Sequence, residues 1–437
     1  MKISRNELMP GIWVTTVNSS KYKTDCLSIN MLTQLSIENA SQNAIIPYIL
    51  RRGTTFSPDM KSISIRLENM YGTQIVPVVR KVGEIQCIGL YSSFPSSQYL
   101  PENIDILSQT ASFVSEMLLN PKTRGGLFLK DIVENEKDKM IKNIKSIIND
   151  KGSYAIKRCI DEMCCYEDYS TGKFGTVETV EEINYTKLTK YYHTLISSSP
   201  IEIFYCGSSS EEDVLYALKN SFSSIPRGDI NYDIGTDIRM NSINEEPREL
   251  VESKNVNQGK LVMGFRLGEC MEDPDIAAIR VFNAVFGGCV TSKLFENVRE
   301  KMSLCYYASS FVEFHKGLMF VSSGIDPANY TIAKSEILNQ LNEIINGNIT
   351  DHEFVSAKNC LISDMNGIDD SQAALEGYFL SNLINGLDIT PEEMSDLISQ
   401  VTKDEIIEIA KSVVLDEIYF MTTEESEDIE EEVPADE

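Results

Sequence analysis

Residues 286–308 read FGGCVTSKLFENVREKMSLCYYA, and few folds accommodate that order. A Gly-Gly break ends one element. Apolar residues at helical spacing then lead to Arg299-Glu300-Lys301, Ser303 punctuates, and Leu304-Cys305-Tyr306-Tyr307 opens a strand. An arginine at a helix end and a tyrosine seven residues on, at a strand start, can converge on one surface. The strand expected over 304–313 is followed by another over 318–324. His315-Lys316-Gly317 between them predicts a hairpin.

The first half of the chain carries the same order. Strand-like runs occupy 11–17 and 26–35, helical stretches 45–52 and 61–71, and a hairpin 73–82 and 84–92 around Gly83. A long helical region is expected over 103–164, with Leu129, Val133, Met140, Ile144 and Ile147 on one face. A further helix over 178–197 precedes a strand over 201–206. In the second half, a strand at 260–267 and a helix at 274–286 lead into the opening segment, and helices at 330–346, 351–365, 371–385 and 391–414 precede a strand at 417–422. Two echoes favour duplication. Leu67-Glu68-Asn69-Met70-Tyr71-Gly72 before the first hairpin answers Phe295-Glu296-Asn297-Val298-Arg299-Glu300 before the second, and 191–205 answers 408–420.

A chain of 437 residues suggests two domains. They are expected at 1–224 and 247–422, joined by a linker at 225–246 rich in Pro, Gly, Asp and Asn, with an acidic disordered tail at 423–437. The net charge of −27, from 39 basic and 66 acidic residues, excludes nucleic acid and anionic membrane as partners and attracts basic peptides. No signal-peptide core opens the chain and no apolar run is long enough to span a bilayer, so a cytoplasmic location is expected. Ten scattered cysteines read as small buried hydrophobes of a reducing compartment.

The order from Gly287 to Tyr306 closely resembles the second domain of the insulinase/pitrilysin (inverzincin) metallopeptidases, where a GG…S-x-LF-x-x-x-RE-K segment precedes L-x-Y. The resemblance runs from about residue 11 to 422. It implies an α+β fold of two homologous insulinase-like domains forming a clam-shell, with Arg299 and Tyr306 as substrate-binding residues. Active members carry H-x-x-E-H on a first-domain helix: two histidines one turn apart share a face and hold zinc, and the glutamate activates the bound water. Gly53-Thr54 matches the Gly-Thr that follows that motif, and it places Ala44-Ile45-Ile46-Pro47-Tyr48 where H-x-x-E-H belongs. The family's later ligand segment is similar to Glu136–Asn143, which sets Asn143 at the third ligand position.

Ala44, Pro47, Tyr48 and Asn143 therefore mark a degenerate zinc site, and neither metal nor other cofactor is expected. The three histidines, His193, His315 and His352, are too far apart in sequence to replace it. Lys21-Tyr22-Lys23-Thr24 and Arg51-Arg52-Gly53-Thr54 are especially similar to the inactive YmfF group of bacterial metalloprotease homologues. That similarity implies an association with 5-aminopentanol modification of elongation factor P. The resemblance as a whole implies a catalytically inactive, substrate-binding subunit paired with an active zinc peptidase subunit in a heterodimer. The alternative is a homodimeric peptide-binding or scaffold protein.

Overall fold

The computed structural model describes residues 2–423. Thirteen strands are present among them: β1 (Lys2–Met9), β2 (Ile12–Asn18), β3 (Thr24–Gln34), β4 (Gln74–Val82), β5 (Ile85–Pro95), β6 (Thr123–Arg124), β7 (Leu127–Phe128), β8 (Ile201–Gly207), β9 (Arg248–Lys254), β10 (Gly259–Arg266), β11 (Cys305–Glu313), β12 (Leu318–Ile325) and β13 (Val414–Thr423). One sheet has the order β1-β2-β8-β3-β5-β4, the other β11-β12-β10-β13-β9, and β6 and β7 form a short separate ribbon. Read from the other side, the first sheet runs β4-β5-β3-β8-β2, strand for strand the order of the second, with β1 added at the edge. The one parallel pair of each sheet also matches, β2 with β8 and β9 with β13. The duplication expected from the sequence echoes is thus present in the topology.

The chain divides into two compact units that do not follow its halves. Residues 148–163, from the first half, belong to the second unit, and residues 363–395, from the second half, belong to the first. The core of the first unit packs Val14, Leu27, Ile29 and Ile203 of the sheet against Ile45, Ile46 and Leu50 of the helix Ala40–Leu50 and Phe113 and Val114 of the helix Ile106–Leu119. The opposite face of that sheet is covered by the helix Gln372–Ile384, whose Leu375 packs with Val17, Cys26, Phe204 and Cys206, and whose Leu380 packs with Leu32, Ile85 and Cys87. In the second unit the helix Lys151–Met163 packs against β10, β12 and β13.

Several sequence expectations are corrected. The long helical region over 103–164 is three helices, Ile106–Leu119, Lys130–Ser146 and Lys151–Met163. Gly125 and Gly126, with φ of +60° and +77°, make the turn that separates the first two, and Asp150 accepts the Gly152 and Ser153 N–H groups at the start of the third. The helix expected over 391–414 is two, Pro391–Gln400 and Lys403–Ser412, the second started by a Thr402/Glu405 capping box. Strands β1 and β9 were not expected, since both alternate between half-exposed and exposed residues. The segment read as a linker carries no helix or strand, yet it is tied down: Arg227 donates to the carbonyls of Pro10, Gly11, Ile196 and Ser199. From residue 424 on, the acidic tail lies outside the described residues.

Candidate functional site

The degenerate motif lies on the helix Ala40–Leu50. Ala44, Ile45 and Ile46 are fully buried and belong to the core. Pro47 sits inside the helix, where it removes one backbone donor and has no group that could act as a base. Tyr48 is half-buried, and burial first, then the nearby charge of Glu136, raises its phenol pKa, so the hydroxyl stays protonated. A methyl group, a pyrrolidine ring and a protonated phenol do not make a zinc donor set. Among the described residues no three His, Cys, Asp or Glu side chains come together as a metal-ligating group.

What surrounds the motif is an ion-pair cluster. Glu136, on the helix Lys130–Ser146, is buried and meets Arg52 Nε at 2.7 Å and Lys139 Nζ at 2.9 Å. Asn143, about two turns further along that helix, is exposed. The Gly53-Thr54 anchor has a packing cause. A Cβ at Gly53 would stand 2.8 Å from the Pro58 carbonyl oxygen. Thr54 donates from its hydroxyl to Glu116, and that same oxygen accepts from the Ser57 N–H at 2.8 Å.

The second unit holds the other half of the resemblance. Residues Ala284–Gly288 and Leu294–Lys301 form wide turns of π type, a local geometry found often at functional sites. Gly287 is required by close approach: a Cβ there would lie 2.7 Å from the Ser310 backbone N on β11. Leu294 and Val298 bury the inner face of the second π segment, while Arg299 keeps 39% of its side chain exposed, with its guanidinium over the Phe295 ring at 4.5 Å and Nε 3.6 Å from Glu300. Ser303, at φ +51°, turns the chain back towards β11.

β11 is the outermost strand of its sheet. Its register slips between Cys305, opposite Ile325, and Tyr307, opposite Gly324, so Tyr306 is the extra residue of a β-bulge. Cys305 is buried, and burial raises its thiol pKa against a smaller opposing pull from the charge of Arg299. The Leu304 N–H donates to the Val298 carbonyl at 3.1 Å, which holds the segment bearing Arg299 against the start of β11, and the bulge leaves Tyr306 75% exposed. A guanidinium, a phenol hydroxyl and the outermost strand of a sheet can together offer hydrogen bonds to an extended polypeptide. The helix-then-strand order was legible in sequence. The π geometry, the strained Ser303 and the bulge were not, because none has a compositional signature beyond the Gly-Gly pair.

Comparison with known proteins identifies the family and the fold. A family model described as the peptidase M16 inactive domain matches residues 182–361. The Bacillus subtilis protein named probable inactive metalloprotease YmfF is 30% identical over 413 residues, covering 94% of this chain and 96% of its own. A conserved protein from Enterococcus faecalis superposes with a TM-score of 0.86 at 28% identity, covering 97% of this chain and 99% of that one. The peptidase M16 inactive domain from Pseudomonas fluorescens shares the fold, with a TM-score of 0.77 at 16% identity over 97% of this chain and 99% of the other. Among the described residues no helix is long and apolar enough to cross a membrane. The chain belongs to the M16, insulinase-like peptidase family as a non-catalytic homologue.

Proposed function

We propose that this chain is the substrate-binding, non-catalytic subunit of a heterodimeric cytoplasmic zinc peptidase. It holds extended peptide segments at Arg299, Tyr306 and the free edge of β11, while a separate active subunit supplies the metal and the hydrolysis. The observation that carries the reading is Tyr306 itself. A large aromatic side chain 75% exposed at a bulge, on an edge strand and beside a half-exposed arginine, has no packing role to explain it. The cytoplasmic setting is supported by ten free cysteines, six of them buried.

Native mass spectrometry with zinc quantitation, on tagged protein isolated from its own cells, tests the assembly. The expected result is a complex of about twice the chain mass that contains a distinct second subunit and zinc. A zinc-free monomer or homodimer would overturn the heterodimer and leave a peptide-binding scaffold in its place. Peptide binding is tested separately on the purified chain, where Arg299→Ala with Tyr306→Ala is expected to abolish it.

A further inference from the structure

β4 and β11 hold the same place in the two sheets, each outermost and each paired with the second strand of a hairpin. On topology alone either edge could take an added strand. Their backbones differ. In an antiparallel pair, residues alternate between bonding the neighbouring strand and pointing both backbone groups away from it. Pro77 stands opposite Leu90 in a register that runs unbroken from Gln74 opposite Ser93 to Val82 opposite Ile85. A proline is tolerated there only where the missing N–H faces outward, so the donor lost at Pro77 is one that an incoming strand would need.

The same alternation turns Ile75, two residues earlier, outward as well. Its carbonyl is already taken: Arg51 Nε donates to it at 2.8 Å. That bond independently confirms the phase. Two consecutive outward positions of β4 therefore lack the group a ladder requires, one by chemistry and one by occupation. β11 has no proline, and every residue from Tyr307 to Glu313 keeps its N–H.

We infer that β4, the edge strand beside the degenerate motif, is closed to strand addition, so that of these two matching edges only β11 accepts an extended peptide. The inference rests on the peptide-binding reading above and extends it. Arg51 follows Tyr48 by three residues and ends the helix that bears the degenerate motif. The first unit has thus lost its metal ligands and its peptide edge together, and Arg51 and Pro77 are the residues that shut the edge.

Site-specific photo-crosslinking to a short biotinylated peptide of alternating Val and Lys tests this. The photoreactive residue replaces Val76, exposed on β4, or Ser309, exposed on β11. The expected yield at 76 is roughly tenfold below that at 309, the ratio that follows from losing a ladder bond or two. Arg51→Gln with Pro77→Val is expected to raise the yield at 76 to that at 309, with circular dichroism confirming the fold. Comparable yields at both positions in the unaltered background would overturn the inference, as would a double variant that stays silent at 76. Absence of adducts at 309 in every background would instead remove the peptide-binding reading, and labelling at 76 in the double variant would still report on the closure.

Discussion

At one equivalent point the two sheets solve the same problem with opposite chemistry. Glu202-Ile203-Phe204-Tyr205 of β8 and Glu417-Ile418-Tyr419-Phe420 of β13 occupy matching strands. Glu202 faces Asn30 of β3 and Glu417 faces Gly264 of β10 across the ladder. Each point lies on a sheet that must receive a helix from the other half of the chain. In the first unit the helix reaches into the sheet: Glu376 accepts from Ser28 Oγ at 2.8 Å and Asn30 Nδ2 at 3.0 Å and meets Arg80 at 2.6 Å, while Gln372 donates to the carbonyls of Thr24 and Cys206. In the second unit the sheet reaches into the helix. Arg266 and Arg248 donate to the carbonyls of Met163 and Glu162, and Gly264 lets Met163 and Cys159 approach, a Cβ there standing 2.7 Å from the Met163 sulfur. Duplicated topology therefore constrains where a helix docks and leaves the docking chemistry free to diverge.

The largest expected effect lies at the arginine end of this contrast. Arg266 is wholly buried and its Nε lies 2.7 Å from the equally buried Asp416. Arg266→Met strands a carboxylate in the core and removes the bond to the Met163 carbonyl. A loss of about 3–5 kcal/mol is expected in urea unfolding. Glu376→Ala, the corresponding lesion in the first unit, leaves Ser28 and Asn30 short of an acceptor but frees Arg80, which is partly exposed and can turn to solvent. Its cost is expected at about 2–3 kcal/mol. A reversed ranking would mean that the polar helix contributes more than the buried arginine clamp.

The paired glutamates give a pH test of the same equivalence. Burial pushes both Glu202 and Glu417 up to about 7, against the opposing pull of Arg5 and Arg248 respectively. A carboxyl whose folded pKa lies above its unfolded value costs nothing below the unfolded pKa of 4.5, and its cost grows as pH rises from there to about 7. Glu202→Gln is therefore expected to stabilise the protein at pH 8, by at most about 3 kcal/mol, and to converge on the parent below pH 4.5. Glu417→Gln should trace the same curve. If only one of the two does, the strands match in topology but not in electrostatics.

Both hairpins and most of the core strands were legible because each rests on local pattern: alternation and turn residues. The exchange of helices 151–163 and 372–384 was not. An amphipathic helix reveals that it has an apolar face, and nothing in its own sequence names the sheet that face will cover. The edge strands β1 and β9 escaped for a related reason, since a half-exposed strand lacks the strong alternation of a core strand. Within the candidate site, Arg299 and Tyr306 could be picked out by their order in the chain, whereas the bulge that exposes Tyr306 is set by pairing with Ile325 and Gly324 far along the sequence.

The smallest expected effect on stability separates the buried anchors from the exposed pair. Arg299 contacts Phe295 and Glu300, both within its own segment, and Tyr306 is largely solvated. Truncating either removes few buried contacts and leaves no buried polar group unpaired, so Arg299→Ala and Tyr306→Ala should each shift stability by no more than about 0.5 kcal/mol. A residue held for packing would cost several times that when truncated, as Arg266 should. If the two substitutions prove as costly as core lesions, Arg299 and Tyr306 serve to close the turn into β11, and their exposure is incidental to it. If stability is untouched while peptide affinity falls, the exposed arginine and tyrosine are binding groups carried on a scaffold that does not need them.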